Sequence, residues 1–222
     1  MIPGARLVLL GRQGAGKGTQ CIRLSHHYVI PHISTGDILR SAVREETEFG
    51  LKAKAYMQEG DLLPDDVIVG IINERLERDD TRARGFILDG FPRTVSQATI
   101  LMEITKPRGI DLVIDLDVPT KVVLDRLASR RVCTDCGANY SLERPPKFGW
   151  VCDQCRGDVI QRDDDTTAAI ERRLDIYERE TAPLTAWFRE RGLLETVDGL
   201  GEPDEVSARL FAVVDERRDQ RR

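Results

Sequence analysis

Five short apolar runs rich in Val, Ile and Leu punctuate the chain: Arg6 to Leu10, His32 to Ser34, Phe86 to Leu88, Leu112 to Leu116 and Leu194 to Val197. Each has the length of a strand, and the stretches between them place apolar residues at helical spacing. Strands alternating with helices need crossover connections, which predicts an α/β fold with a mostly parallel sheet. The run Leu112-Val-Ile-Asp-Leu116 carries apolar residues on both faces, as a central strand does when helices cover both sides. Such a sheet binds its ligand outside the carboxyl ends of its strands, where Gly11, Gly36, Asp89 and Asp117 all fall.

Two segments break the alternation. Between Asp37 and Asp80 the pattern predicts helix after helix: Ile38 to Glu46, Leu51 to Glu59, and a third opened by Pro64-Asp65-Asp66 that runs to about Glu77. Asp37 is placed to cap the first of them. From Val132 to Arg162 the helical period vanishes and Cys, Gly, Pro and aromatic residues take over, after which Asp165 to Arg191 reads as one long amphipathic helix. The mixed charges of Asp215 to Arg222 read as a frayed helix end. This divides the chain into a core (1–36, 81–131 and 163–222), a helical insert (37–80) and a cysteine-bearing insert (132–162).

Composition changes the picture in one respect. With a net charge of -5, the chain lacks the cationic excess that broad nucleic-acid or anionic-membrane binding requires, so its 33 basic residues must act locally. The amino terminus has no basic n-region or cleavage site, and no apolar stretch approaches the length of a membrane span; the expectation is a cytoplasmic protein.

The first chemistry lies between the first strand and the helix after it. In Gly11-Arg-Gln-Gly-Ala-Gly-Lys-Gly-Thr-Gln20, glycines at 11, 14 and 16 let successive backbone amides converge on an anion. The next helix turns its free amides and positive dipole end to the same spot, and Lys17 adds a mobile charge. The P-loop pattern G-x-x-x-x-G-K-[ST] fits through Lys17 and then misses by one residue, since Gly18 precedes the hydroxyl of Thr19.

A second signal is a pair of C-x-x-C knuckles, Cys133-Thr-Asp-Cys136 and Cys152-Asp-Gln-Cys155, fifteen residues apart. The residues between them are too few to form a core unaided, so ligation would supply the folding free energy, and four thiolates leave no open position for catalysis. Zinc is the expected occupant, and iron fits the same four-sulfur cage. Cys21, the fifth cysteine, reads as a small core residue.

Two further strands end in chemistry. Ile33-Ser-Thr-Gly-Asp-Ile-Leu-Arg40 sets a hydroxyl, a glycine and an arginine at the crevice, and Phe86-Ile-Leu-Asp-Gly-Phe-Pro-Arg-Thr94 sets a carboxylate and another arginine there. A strand-terminal aspartate near a P-loop is the usual carrier of Mg²⁺, directly or through water, which makes Asp89 the candidate.

Taken together, the Lys-Gly-Thr ending of the P-loop, Ile33 to Asp37, Asp89 to Thr94 and Arg162-Asp-Asp-Asp165 resemble the signatures of adenylate kinases of the long-lid type, in order along the whole chain. The resemblance implies a P-loop three-layer fold with a central five-stranded parallel sheet, a helical AMP-binding insert and a zinc-stapled lid. It implies the reaction ATP + AMP ⇌ 2 ADP with Mg²⁺, small-molecule substrates, no nucleic-acid or membrane partner, and a monomer.

By the same resemblance Gly14, Ala15, Gly16, Lys17, Gly18 and Thr19 wrap the ATP phosphates, with Arg126, Arg130, Asn139, Tyr140 and Gly201 completing the ATP side. Thr35, Arg40, Asp61, Leu62, Leu63, Gly90, Phe91, Pro92, Arg93 and Gln97 hold AMP, with Gln97 as the purine reader. Arg162 and Arg173 neutralise the transferring phosphoryl group, Asp89 holds Mg²⁺ through water, and Lys17, Arg93, Arg126, Arg130, Arg162 and Arg173 form the catalytic set. Gln13 stands where the family often has proline. Kinases of UMP, CMP or GMP would share this scaffold. A zinc-ribbon nucleic-acid binder would want a more basic Cys133–Asp165 segment, and a GTPase would want an Asn-Lys-x-Asp motif that the chain lacks.

Overall fold

The computed structural model describes residues 4–220. Five parallel strands form the central sheet: β1 (Arg6–Leu10), β2 (His32–Ser34), β3 (Phe86–Asp89), β4 (Leu112–Asp117) and, as the last strand of the chain, Leu194–Asp198, in the order β2-β3-β1-β4 followed by that last strand. Leu7 lies opposite Ile87 on one side and Leu112 on the other, so β1 is central and its carboxyl end opens on the crevice. All five strands fall where the apolar runs put them.

The helices are α1 (Lys17–Tyr28), α2 (Thr35–Arg44), α3 (Glu48–Glu59), α4 (Asp65–Leu76), α5 (Asp79–Arg84), α6 (Val95–Ile104), α7 (Thr120–Ser129), α8 (Thr167–Ile176), α9 (Pro183–Arg189) and α10 (Pro203–Gln220). Alternation along β1 sorts them into layers. Leu7 and Leu9 pack with Cys21 and Leu24 of α1, Val123 and Leu127 of α7 and Leu210 of α10. Val8 and Leu10 face the other way, against Ile72 of α4, Leu101 of α6 and Phe188 of α9. At about 25 cal/mol per Å² of apolar area, these two faces supply most of the driving force for folding.

Residues 130–160 hold a separate three-stranded antiparallel sheet built from β5 (Arg130–Cys133), β6 (Asn139–Ser141) and β7 (Val159–Ile160), with β5 in the middle. The strand at 194–198 is therefore β8. Arg44 at the end of α2 reaches the residue after β5, donating from Nη1 to the carbonyl of Thr134 at 2.8 Å.

Three expectations need correction. Ser34 and not Asp37 caps α2: its hydroxyl accepts from the amide of Asp37 at 3.2 Å, because the cap position sits on the last extended residue of β2. The stretch Asp165 to Arg191 is not one helix. A π turn at Tyr177–Thr181, marked by the amide of Ala182 bonding the carbonyl of Tyr177 at 2.8 Å, separates α8 from α9, and Pro183 opens the latter. Finally, α10 continues regularly to Gln220, well past Asp215, while Arg221 and Arg222 lie outside the described residues. Among the described residues no helix is long and apolar enough to cross a membrane.

Candidate active site

The P-loop closes tightly against α7. Gly14 has φ 83°, and a Cβ there would meet Leu127 Cγ at 2.8 Å and the carbonyl of Val123 at 3.0 Å, so no other residue fits without displacement. Gly16, at φ 103°, turns the chain into α1, and no side chain caps that helix among the described residues. Its first amides are left to face the crevice, as an anion site requires. Lys17 folds over the loop, donating from Nζ to the carbonyls of Gly11 at 2.7 Å and Arg12 at 2.9 Å. Burial pushes its ammonium down, and nearby Asp89 opposes that shift. Arg126 donates from Nη1 to the carbonyl of Ala15 at 3.0 Å and from Nη2 to that of Gly199 at 3.4 Å, tying the loop to the turn after β8 that contains Gly201.

Beside the loop, the end of β3 supplies a carboxylate and an arginine. Burial alone would push the Asp89 carboxyl up, but His32, Lys17 and Arg93 outweigh it and hold the group below the usual carboxylate range. An ionised oxygen next to the first turn of α1, where a Cβ on Gly18 would lie 3.6 Å from Asp89 Oδ2, suits a hydrated divalent cation. Thr35 is buried and donates to the carbonyl of Gly90 at 3.0 Å. Arg93 is fixed by its own backbone: its amide donates to Gln97 Oε1 at 2.8 Å, its carbonyl accepts from Thr181 Oγ1 at 2.9 Å, and its Nε donates to the carbonyl of Gly90 at 2.8 Å. Burial, then Arg173 and Arg40, disfavour its cation, and Asp89 favours it.

More guanidinium groups converge from the segments flanking 132–162. Arg130 forms a two-point pair with Asp165, whose side chain is fully buried, with Nε to Oδ2 at 2.8 Å. Arg173 donates to Asp164 Oδ2 at 2.6 Å and to the carbonyl of Met57 at 2.8 Å. Arg40 pairs with Asp37 in the first turns of α2. Arg162 is different: its Nε is buried with no hydrogen-bond partner among the described residues. Burial, Arg130 and Arg40 push its guanidinium down to about 10. Asp164 and Asp165 favour its charge without restoring it, and an unpartnered N–H among three guanidinium groups leaves this corner able to hold a chain of phosphate oxygens.

On the side of the helical insert, Gln97 is buried, and its amide nitrogen donates to Asp65 Oδ1 at 2.7 Å. Asp61, ahead of half-buried Leu62 and Leu63 in the loop between α3 and α4, pairs with Arg172, including Nη2 to Oδ2 at 3.0 Å. Phe91 and Pro92 are buried behind Gly90.

The four cysteine sulfurs lie within 4.8 Å of one another, with Cys133–Cys155 at 3.4 Å and Cys136–Cys152 at 3.6 Å. A tetrahedral ion at the usual zinc–sulfur distance of about 2.3 Å spaces its sulfurs roughly 3.8 Å apart, so the cluster is compatible with a structural metal. The hydroxyl of Tyr140 lies 3.4 Å from Cys152 Sγ and draws that thiol down to about 6, whereas burial pushes Cys136 up to about 12. Four crowded thiols do not ionise together without a cation among them.

The structure therefore brings together the P-loop, Asp89, Thr35, Arg40, Arg93, Arg126, Arg130, Arg162 and Arg173. It turns Tyr140 toward the cysteines, where its hydroxyl also accepts from the amide of Asp153 at 2.9 Å, and leaves Asn139 exposed. Four further residues enter that sequence reading gave no role. Asp164 and Asp165 hold two of the arginines, and Thr181 holds Arg93. Gln13 is the fourth: with its side-chain carbonyl turned toward the guanidinium groups, the orientation that satisfies both ends of the amide, it accepts from Arg173 Nη1 at 2.9 Å and Arg130 Nη2 at 3.2 Å. Its position in a phosphate loop was the one available hint.

Comparison with known proteins gives a consistent result. The family profile described as Adenylate kinase matches residues 9–193. The chain is 50% identical over 213 residues to an adenylate kinase of Methanosarcina mazei, covering 94% of this chain and 97% of that one. It is 48% identical over 211 residues to one of Geobacter sp., covering 94% and 98%, and 45% identical over 207 residues to one of Clostridium kluyveri, covering 92% and 95%.

Proposed function

This chain belongs to the adenylate kinase family, an enzyme that moves a phosphoryl group reversibly from ATP to AMP to give two ADP, and from that premise we propose how its residues divide the work. Phosphoryl transfer asks a protein for alignment and charge neutralisation and for little covalent chemistry. The amides of Gly14 to Thr19 and the Lys17 ammonium receive the triphosphate, with Arg126 and the backbone near Gly201 steadying the nucleotide and the strand carrying Asn139 and Tyr140 closing over it. Thr35, Arg40, Gly90 to Arg93 and the loop Asp61 to Leu63 receive AMP, and Gln97 reads its purine edge. Arg93, Arg130, Arg162 and Arg173 draw the facing phosphates into line and spread the charge that builds up on the equatorial oxygens.

Adenylate kinases use Mg²⁺ with ATP, and when bound the ion neutralises phosphate charge. Asp89 would hold it through water, as its depressed carboxyl and its place beside Gly18 support. Cys133, Cys136, Cys152 and Cys155 would hold a structural Zn²⁺ that keeps the 132–162 segment rigid. The helical insert and this segment are proposed to close over AMP and ATP respectively, excluding water that would otherwise take the phosphoryl group. A cytoplasmic monomer fits this reading.

The observation that carries the proposal is Arg162, a half-buried arginine whose buried Nε has no partner among the described residues and whose guanidinium burial, Arg130 and Arg40 push down despite Asp164 and Asp165. The test is ADP formation from MgATP with AMP, UMP, CMP and GMP in parallel, followed by ³¹P NMR, with a two-adenosine polyphosphate as bisubstrate mimic. Turnover with AMP and tight occupation by the mimic are expected. Equal turnover with a pyrimidine monophosphate would overturn the assignment of Gln97, and failure of the mimic to bind would overturn the arrangement of the cleft.

A further inference from the structure

Beneath the P-loop, three side chains that could ligate a metal meet outside the cysteine knuckles. Cys21 Sγ on α1, His32 on β2 and the Asp89 carboxylate at the end of β3 place one atom each within 4.8 Å of the others. Cys21 is completely buried and packs in the layer against α10 and α7. His32 Nε2 lies 3.7 Å from Asp89 Oδ2, beyond hydrogen-bond reach, and has no hydrogen-bond partner among the described residues. Imidazole nitrogens withdrawn from water are normally paired, so an orphan beside a carboxylate, in a cluster that also holds a thiol, wants a third party.

We infer that Cys21, His32 and Asp89 form a second metal site, one that takes a borderline or soft divalent cation such as Zn²⁺, Co²⁺ or Cd²⁺ and not Mg²⁺. The donor set decides the class: one thiolate, one imidazole and one carboxylate match zinc-like ions, whereas Mg²⁺ wants oxygens throughout. Thiolate and carboxylate together neutralise a dication, and the thiol proton leaves to solvent as the metal binds. Three protein ligands leave a fourth position for water or a phosphate oxygen, unlike the closed cysteine cluster. A surface pocket of ≈ 480 Å³ has His32 in its lining, beside His26, Pro31, Arg75 and Asp80.

The site shares Asp89 with the Mg²⁺ role proposed above, which predicts antagonism: a zinc-like ion here takes the carboxylate away from hydrated Mg²⁺. Metal binding rests only on the three ligands, while the antagonism rests also on the proposed role of Asp89.

The test starts from the whole protein with its cysteine knuckles loaded with Zn²⁺. Equilibrium dialysis against further Zn²⁺ should show a second equivalent per chain. Added Co²⁺ should give a thiolate charge-transfer band that Cys21→Ser abolishes while any knuckle signal survives. Cys21→Ser and His32→Asn should each weaken the second equivalent at least tenfold, since loss of even an outer-sphere partner costs tenfold to a hundredfold. The use of two variants on different elements guards against misfolding of one. Uptake that stops at one equivalent, an orphan nitrogen satisfied by water only, or a second equivalent that both variants bind as well as the parent would overturn the inference. In the kinetic arm, excess Zn²⁺ should raise the apparent KM for MgATP in the parent and not in Cys21→Ser. Binding without that rise would uphold the site and refute the role given to Asp89.

Discussion

Asp65 accepts a hydrogen bond from the side-chain amide of Gln97 at 2.7 Å, joining the start of α4 to α6 across thirty-two residues of sequence. With Arg93 N holding the other end of the same amide, Gln97 has one orientation. Asp65→Ala frees the amide without touching a phosphate site. The expected outcome is a KM for AMP raised about five- to tenfold, the worth of one hydrogen bond, with kcat within about twofold and poorer discrimination against other monophosphates. Steady-state rates with each monophosphate check this, and unchanged selectivity would remove Asp65 from the recognition of AMP.

Arg93→Ala should cost turnover far more than stability. The backbone of residue 93 stays pinned by Thr181 and Gln97, and the side chain is a cation that burial already disfavours. A loss of about 10²- to 10³-fold in kcat is expected, as for removal of one transition-state donor, with a melting temperature within a few degrees of the parent. Retained turnover would take Arg93 out of the site.

Arg162→Gln separates stability from function in the opposite sense. Removing a guanidinium that burial, Arg130 and Arg40 disfavour more than Asp164 and Asp165 favour it should raise the melting temperature of the nucleotide-free protein, while turnover falls about 100-fold. The bisubstrate mimic should then stabilise the variant much less than the parent. A variant less stable than the parent without nucleotide would show that Arg162 is already compensated.

The pair Asp164–Arg173 predicts a pH dependence. Burial would raise the Asp164 carboxyl, but Arg173 and then Arg162 outweigh it, so the folded protein binds this proton less readily than the unfolded chain does. A depressed carboxylate stabilises the fold fully above the unfolded value of about 4 and loses that contribution as pH falls through the lower folded value. Asp89 acts with the same sign. Urea unfolding between pH 7 and pH 3 should therefore show stability falling on the acid side. Asp164→Asn should start lower at pH 7 and fall less steeply, and parallel curves for the two proteins would exclude the pair as the cause.

If the four cysteines hold the proposed metal, its chelation should lower the melting temperature and loosen segment 132–162, because β5, β6 and β7 have little apolar core of their own. Phosphate binding at the P-loop, which depends on backbone amides near β1, should survive. Calorimetry with and without chelator, paired with nucleotide titration, distinguishes the two. Abolished nucleotide binding would contradict a purely structural role.

What could be read in advance followed the range of the interactions. Strands came from apolar runs, and the P-loop and the cysteine knuckles came from close spacing, since one turn or one knuckle lies within a few residues. The cap of α2 is nearly legible: Ser34 and Asp37 sit three apart, the spacing of a reciprocal cap, and spacing alone does not say which of them is the cap. The break after Ile176 was hidden because amphipathic spacing persists on both sides, although Pro183 marked the place. Pairings such as Gln13 with Arg173, or Thr181 with Arg93, join stretches distant in sequence, and no local pattern announces them.

The widened turn at Tyr177–Thr181 has a mechanical consequence. An extra residue between two helical tracts offsets their angular phase, so the tract carrying Arg173 and the tract carrying Leu184 and Phe188 choose their outward directions separately. One carries an arginine of the proposed polyphosphate cleft and the other fills the apolar layer, and a single unbroken spiral would have to compromise between them. Deleting one residue there should leave helix content nearly intact yet swing Thr181 away from Arg93, detuning the cleft from a distance.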